Sequence, residues 1–431
     1  MEVLKVRGGT PLVGAIEISG SKNAALALLS AVPLSSGEIV LHNVPDISDV
    51  HIKLDLLRNF GAKVEWREGL LIIDASGIHD WEPDEAAVRP IRTSFYLFGP
   101  LLARNGRARL PMPGGCKIGA RPVDYHLKGL ALMGVEVDMT GGCYNGIARK
   151  LTGAEIYLDF PSAGATQHLM ATATLADGIT IIQNAAMEPE VTALAGFLNA
   201  MGARIEGAGT STITIMGVSR LGDCTYRVPA DRMQAGTFLI AGAITGGEVT
   251  VTGILPESLT ATVQKLREAE ISVEEGADYV TAKGEHRPKA LRIRTMPHPG
   301  FPTDLQQPMA ALLAVAHGTS IIEETIYESR IGHVAELNRL GAKMTVQGQT
   351  TYIEGVDKLN GAVVEASDLR AGAALVLAGL AAEGDTFIKN IHFIDRGYEY
   401  FEERLTSLGA NIQRVDAAAA RMSRSGLPKR V

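Results

Sequence analysis

The chain has 431 residues, with 41 basic and 48 acidic side chains for a formal charge of −7, and 3 cysteines. This length accommodates about two domains of ordinary size. The mild acidity excludes the concentrated basic surface of a nucleic-acid binder, and so few cysteines exclude a disulfide framework. No apolar run reaches transmembrane length, and the opening MEVLKVRGG is too polar for a signal peptide and reads as a strand, so a cytoplasmic protein without membrane partners is expected. Glycine is the anomaly: 47 residues, about 11% against a usual value of about 7%.

Along the chain one phrase returns six times: a helix end, a glycine, then an alternating strand. It reads LLRNFGAKVEW at Gly61, LALMGVEVDM at Gly134, FLNAMGARIEG at Gly202, LNRLGAKMTV at Gly341 and LTSLGANIQRV at Gly409. LREAEISVEEG matches the same place, with Glu270 where the others have glycine. A second phrase, helix then glycine then a short β-rich stretch, recurs at Gly37, Gly106, Gly178, Gly247, Gly318 and Gly384. Successive spacings run from 66 to 73 residues in both series. Each glycine is read as a left-handed residue that ends a helix. The repeat therefore predicts six units of about 70 residues, each with two helices and several strands.

The helical segments SKNAALALLSAV, ATQHLMATATLA, DRMQAGTFLIAGAI, LQQPMAALLAVA and RAGAALVLAGLAA are apolar on nearly all faces, so they are expected to be buried. The expected class is α/β, with helices inside and sheets outside. TYRVPADRMQAG is the natural crossing point between two sets of three units, and residues 416–431 read as a poorly ordered basic tail.

The polar outliers also come in chain order. Ser21, Lys22 and Asn23 stand at the start of a buried helix, where free backbone amides attract anions. LPMPGGCKIGARPVDYHLKG is a glycine-rich loop carrying Cys116 between Lys117 and Arg121; positive potential there favours the thiolate. Cys143 and Cys224 lack such a setting and are read as ordinary residues. His126 follows the loop and is read as a packing or capping histidine.

Farther on, Asp304, Asp368, Arg92, Arg232, Arg330, Arg370 and Arg396 recur at strand-to-helix junctions. Asp304 and Asp368 are either helix caps or site carboxylates. Convergence of these junctions at one cleft would make an arginine-rich site for a polyanionic substrate, with a carboxylate to take a hydroxyl proton and a reactive cysteine. No cysteine–histidine cluster has metal-ligand spacing, so neither a metal nor a cofactor is expected. P-loop, dinucleotide and kinase patterns are absent.

Six phrases, GSKNAALALL, PGGCKIGARPVDYH, FPSAGAT, PHPGFPTDLQ, SDLRAGAALVLAGL and IDRGYEYFEERL, together resemble the UDP-N-acetylglucosamine 1-carboxyvinyltransferase family of enolpyruvyl transferases, from Met1 to about Val415. The resemblance implies two inside-out α/β domains of three units each, residues 22–229 and residues 1–21 with 230–415. It also implies transfer of the enolpyruvyl group of phosphoenolpyruvate to the 3′-hydroxyl of UDP-N-acetylglucosamine, opening peptidoglycan precursor synthesis. The implied catalytic set is Cys116, Asp304, Lys22, Arg396 and Asp368. Lys22, Arg121 and Arg396 would hold phosphoenolpyruvate, and Asn23 and Asp304 the sugar. Asp304 is the implied base, and Cys116 the residue that bonds phosphoenolpyruvate covalently and that fosfomycin attacks. Arg121, Pro122, Val123, Asp124, Ser162, Ala163 and Gly164 would embrace the uridine diphosphate, and Arg92, Arg330 and Arg370 add positive charge. A monomer or weak homo-oligomer is implied.

Three positions depart from the family pattern: Ala163 where valine is common, Phe160 where some members have lysine, and His168 where asparagine is often found. Two alternatives stand beside this reading. One is 5-enolpyruvylshikimate-3-phosphate synthase, which shares the fold but lacks the long cysteine loop and the GARPVD phrase. The other is a non-catalytic nucleotide-sugar-binding paralogue.

Overall fold

The computed structural model describes residues 2–83, 88, 91–112 and 123–416. Its contacts divide these residues into a middle unit, the described residues of 19–112 and 123–230, and a terminal unit made of residues 2–18 and 231–416.

In the middle unit the helices are α1 (Lys22–Ala31), α2 (Ser48–Asn59), α3 (Phe98–Asn105), α4 (Asp124–Leu132), α5 (Ala163–Ala173) and α6 (Pro189–Ala200). In the terminal unit they are α7 (Arg232–Ile244), α8 (Thr260–Glu268), α9 (Gln306–Leu313), α10 (His333–Arg339), α11 (Leu369–Ala381) and α12 (Phe401–Ser407). Five of the odd-numbered helices, α1, α5, α7, α9 and α11, are the apolar segments of the sequence; α3, which buries Phe98–Leu102, is the sixth inner helix and carried no such signal. Every residue of α7 and α9 is buried, and so are all residues of α11 but Ala381. These three pack on one another as the centre of the terminal unit. Alanine and glycine along them leave room for close approach. The even-numbered helices bury one face only; α8, for instance, buries Thr262, Val263 and Leu266.

Sheets cover these helices. Five four-stranded sheets share one layout, in which an edge strand runs parallel to the next and the remaining pairings are antiparallel. In one, Glu155–Tyr157 lies parallel to Ile179–Gln183, which pairs antiparallel with Thr212–Met216, and that in turn with Arg204–Glu206. The burial of Ile179–Gln183 alternates, as a strand with one covered face requires. A sixth sheet, Arg107–Pro111, Cys143–Ile147 and Glu136–Thr140, is three-stranded among the described residues. Three of the six lie in each unit. The expected α/β architecture, with repeated units, inner helices and outer sheets, is therefore present.

The helix-end series behaves as its spacing requires. Gly61, Gly134, Gly202, Gly341 and Gly409 have φ of 105°, 87°, 105°, 93° and 99°, and Glu270 takes φ 64° at the sixth place. The second series needs a correction. Gly106, Gly178, Gly318 and Gly384 are left-handed, but Gly37 and Gly247 are not. The left-handed turn beside Gly247 is made by Gly246, at φ 69°. Gly247 and Gly37 are instead places of close approach, where a Cβ would collide with the Leu12 carbonyl and with Asp223 Oδ1.

Candidate functional site

Helix starts position most of the candidate residues. Ser21 caps α1, accepting from Ala24 N at 3.3 Å, and Ser162 caps α5, accepting from Ala165 N at 3.3 Å. Asp231 caps α7 with two backbone bonds, 2.8 and 3.1 Å. Asp368 caps α11, accepting from Arg370 N at 3.0 Å and Ala371 N at 3.1 Å. Its other oxygen accepts from Gln307 Nε2 at 3.2 Å and Ser367 Oγ at 3.1 Å. Asp368 thus has a cap's geometry. Asp304 does not: it lies in the 3₁₀ turn Thr303–Leu305 ahead of α9, where no side chain caps the turn.

In the terminal unit Asp304 meets two of the candidate arginines. Arg330 Nη1 donates to Asp304 Oδ1 at 2.8 Å, and Arg370 Nε and Nη2 donate to Oδ2 at 3.2 and 3.0 Å. The arginine side chains keep 5% and 2% of their surface and Asp304 keeps 23%, so the carboxylate is the accessible part of the cluster. Burial pushes the Asp304 carboxyl up, but Arg330 and Arg370 overcome it and hold the group well below the usual carboxylate range. Arg330 also donates to Thr303 Oγ1 at 2.8 Å, and Thr303 passes a 2.8 Å bond to Glu324. Arg370 lies over the Tyr398 ring at 5.3 Å, and the Tyr398 hydroxyl is 2.9 Å from Thr237 Oγ1. Arg396 closes the 3₁₀ turn Ile391–Arg396 and is half-buried.

Sequence reasoning missed several members of this network. Glu324, Thr303 and Tyr398 are among them, each bonded to a partner remote in sequence, and the fully buried His333 feels Asp368 and Arg330 through charge alone. Burial pushes the His333 imidazole down; Asp368 opposes this and Arg330 adds to it, leaving a value of about 4.

In the middle unit Lys22, first residue of α1, pairs with Asp49 at 2.8 Å, while Asn23 is exposed. Arg92 opens the 3₁₀ turn Arg92–Leu97 and is half-buried. Val123 precedes α4 and is buried; Asp124 begins it and is exposed. Ala163 and Gly164 form the first turn of α5, and a Cβ at Gly164 would collide with the Tyr96 hydroxyl. Cys116, Arg121 and Pro122 lie outside the described residues. Cys143 and Cys224 are free and buried, and burial pushes the Cys224 thiol up. No group of three or more metal-ligand side chains occurs among the described residues, nor is any helix there long and apolar enough to cross a membrane.

The repeated inside-out scaffold, with one accessible carboxylate held between two buried arginines, is of the enolpyruvyl-transferase type, and the comparisons agree. The family model for EPSP synthase (3-phosphoshikimate 1-carboxyvinyltransferase) matches residues 6–405. The enolpyruvyl transferase NikO from Streptomyces tendae superposes with a TM-score of 0.87 at 28% identity, over 96% of this chain and 99% of that one. EPSP synthase from Acinetobacter baumannii superposes at 0.73 and 19% identity, over 96% and 100%, a likeness of fold alone.

Among curated relatives, UDP-N-acetylglucosamine 1-carboxyvinyltransferase 3 of Symbiobacterium thermophilum is 49% identical over 422 residues, 97% of this chain and 100% of its own. Enzyme 1 of the same name and organism is 50% identical over 95% of this chain and 94% of its own. The chain belongs to the UDP-N-acetylglucosamine 1-carboxyvinyltransferase family.

Proposed function

We propose that this chain transfers the enolpyruvyl group of phosphoenolpyruvate to the 3′-hydroxyl of UDP-N-acetylglucosamine and releases phosphate. The observation that carries this is likeness from end to end: relatives bearing that name are 47–50% identical across 94–100% of their own length. Cytoplasmic location and service in peptidoglycan precursor synthesis belong to the same reading.

Protonation of the methylene carbon of phosphoenolpyruvate makes C2 oxocarbenium-like. The 3′-oxygen attacks C2 and gives up its proton, forming a tetrahedral ketal phosphate. Departure of phosphate with loss of a methyl proton restores the double bond. Lys22, Arg121 and Arg396 are assigned to the phosphate and carboxylate of phosphoenolpyruvate, and Cys116 to covalent capture and proton transfer.

Asp304 is assigned to the 3′-hydroxyl. A carboxylate held so far toward its ionised form is a weak base toward an ordinary alcohol. It is suited to orient the hydroxyl and to take the proton only as bonding to C2 makes that hydroxyl acidic. Asp368, with its oxygens engaged by α11, Gln307 and Ser367, fixes the start of the helix that carries Arg370. Asn23 is assigned to the sugar, and Val123, Asp124 and the Ser162–Ala163–Gly164 turn to the nucleotide, together with Arg121 and Pro122. Arg92 and Arg330 supply further positive charge.

The test is phosphate release assayed with each substrate alone and with both. Release that requires both supports the reading. Tight binding of the nucleotide sugar without turnover, or turnover with shikimate 3-phosphate as acceptor instead, overturns it.

A further inference from the structure

Two buried histidines of the middle unit touch through their rings. His126 on α4 and His168 on α5 are 6% and 1% exposed, and their Nδ1 atoms are 2.9 Å apart. The other nitrogen of His168, Nε2, accepts from the backbone N–H of Gly99 at 2.7 Å. Gly99 lies in the first turn of α3, where backbone donors have no partner inside the helix.

These contacts determine the protons. A backbone N–H can only donate, so Nε2 of His168 is bare and its proton sits on Nδ1. That proton is donated to Nδ1 of His126, which must be bare in turn. The proton of His126 is therefore on Nε2, on the side of the ring away from His168. Charging either ring would set two N–H groups against each other, at Gly99 or at the shared contact. Burial pushes both imidazoles down, His126 to about 3; Arg92 adds to this at His126, and His126 and Lys53 at His168. Lys53 is itself fully buried and donates to the Thr93 carbonyl at 2.6 Å. Phe95 stands edge-on to both rings and Tyr96 stacks on both, which fixes their planes.

The pair joins the first turn of α4 to the second turn of α5. α4 begins at Asp124 and α5 follows Ser162, the positions assigned above to the nucleotide. We propose that His168 is a positioning residue of the nucleotide site, which locks α4 to α5 and presents His126 as a neutral donor through Nε2. The proposal rests on that nucleotide reading and goes beyond it, because His168 itself touches no substrate. It also gives a physical meaning to asparagine at this position. An asparagine amide N–H takes the place of Nδ1–H and preserves the bond to His126, but it leaves Gly99 N without its acceptor.

The test compares the full-length wild type with His168→Leu and His168→Asn. Histidine ¹⁵N spectra of the wild type at neutral pH should show Nε2 of His168 and Nδ1 of His126 both unprotonated. In His168→Leu the KM for UDP-N-acetylglucosamine should rise about tenfold with kcat held within about twofold, the scale of one lost buried hydrogen bond. His168→Asn should return KM to within about twofold of wild type while melting lower, because both variants lose the Gly99 contact. Equal KM values in the two variants, or a protonated Nε2 on His168, would overturn the proposal. Absence of turnover in the wild type would instead refute the functional reading, and the ring signatures would still decide the proton assignment.

Discussion

Glu270 offers a quantitative check on the repeat. At five of six equivalent helix ends a glycine has φ between 87° and 105°, outside the range in which an L-residue is comfortable. At the sixth, φ is 64°, inside the small left-handed basin, and this explains how glutamate is tolerated there. Occupying that basin costs an L-residue roughly 1–2 kcal/mol. Glu270→Gly removes this cost but gives the unfolded chain more freedom, an offset of about 0.4–1 kcal/mol. It also removes the pair with Lys289, at 3.6 Å between side chains 68% and 64% exposed, which is worth little in solvent. A net gain of about 0.5–1 kcal/mol is expected.

The reciprocal change is Gly202→Ala. A Cβ there meets nothing within 4 Å, so the backbone alone is tested, and a loss of about 1–2 kcal/mol is expected. The two measurements separate cleanly. Both tryptophans, Trp66 and Trp81, lie in the middle unit, so their fluorescence in urea reports Gly202→Ala. Far-UV circular dichroism sums both units, so Glu270→Gly is read from the part of that transition which the tryptophan fluorescence does not follow. A neutral Gly202→Ala, or a Glu270→Gly that destabilises, would refute the assignment of these positions as left-handed helix ends.

Asp304→Asn should destabilise the terminal unit by about 3 kcal/mol in urea, because it leaves Arg330 and Arg370 buried without their anion; a loss under about 1 kcal/mol would show that the ion pairs do not hold the cluster. The same variant should lower kcat by about 10²–10⁴, the range of a lost acid–base group. Acid should weaken both units. His126 and His333 titrate below their unfolded value, so their contribution is complete above about pH 6.5 and is lost as pH falls toward the folded values near 3 and 4. Each should cost about 2 kcal/mol between pH 7.5 and pH 5. Urea midpoints at the two pH values check this, and His333→Gln should remove the terminal unit's share.

What the sequence makes legible is what repeats locally. A helix that ends in glycine, or starts at serine or aspartate, carries its signal within a few residues, and six copies make the signal hard to mistake. The same locality explains what stayed hidden. Asp304 and Asp368 look alike in sequence, each an aspartate ahead of an apolar helix, and local pattern fits a cap or a site carboxylate equally for both. They diverge because α11 begins directly at Asp368, whereas a 3₁₀ turn precedes α9 and turns the Asp304 carboxylate away from the backbone and onto the arginines.

Their partners come from elsewhere in the chain: Arg370 lies 66 residues from Asp304, and His168 lies 42 residues from His126. The first separation matches the repeat, because α9 and α11 are equivalent helices of successive units and their starts meet; the second does not, because α4 and α5 belong to the two different helix classes. For a polar residue at the start of an inner helix, the first partner to look for is therefore the residue at the corresponding place one unit away. Asp304 finds Arg370 in that way. The repeat that the glycines mark thus organises the chemistry as well as the fold.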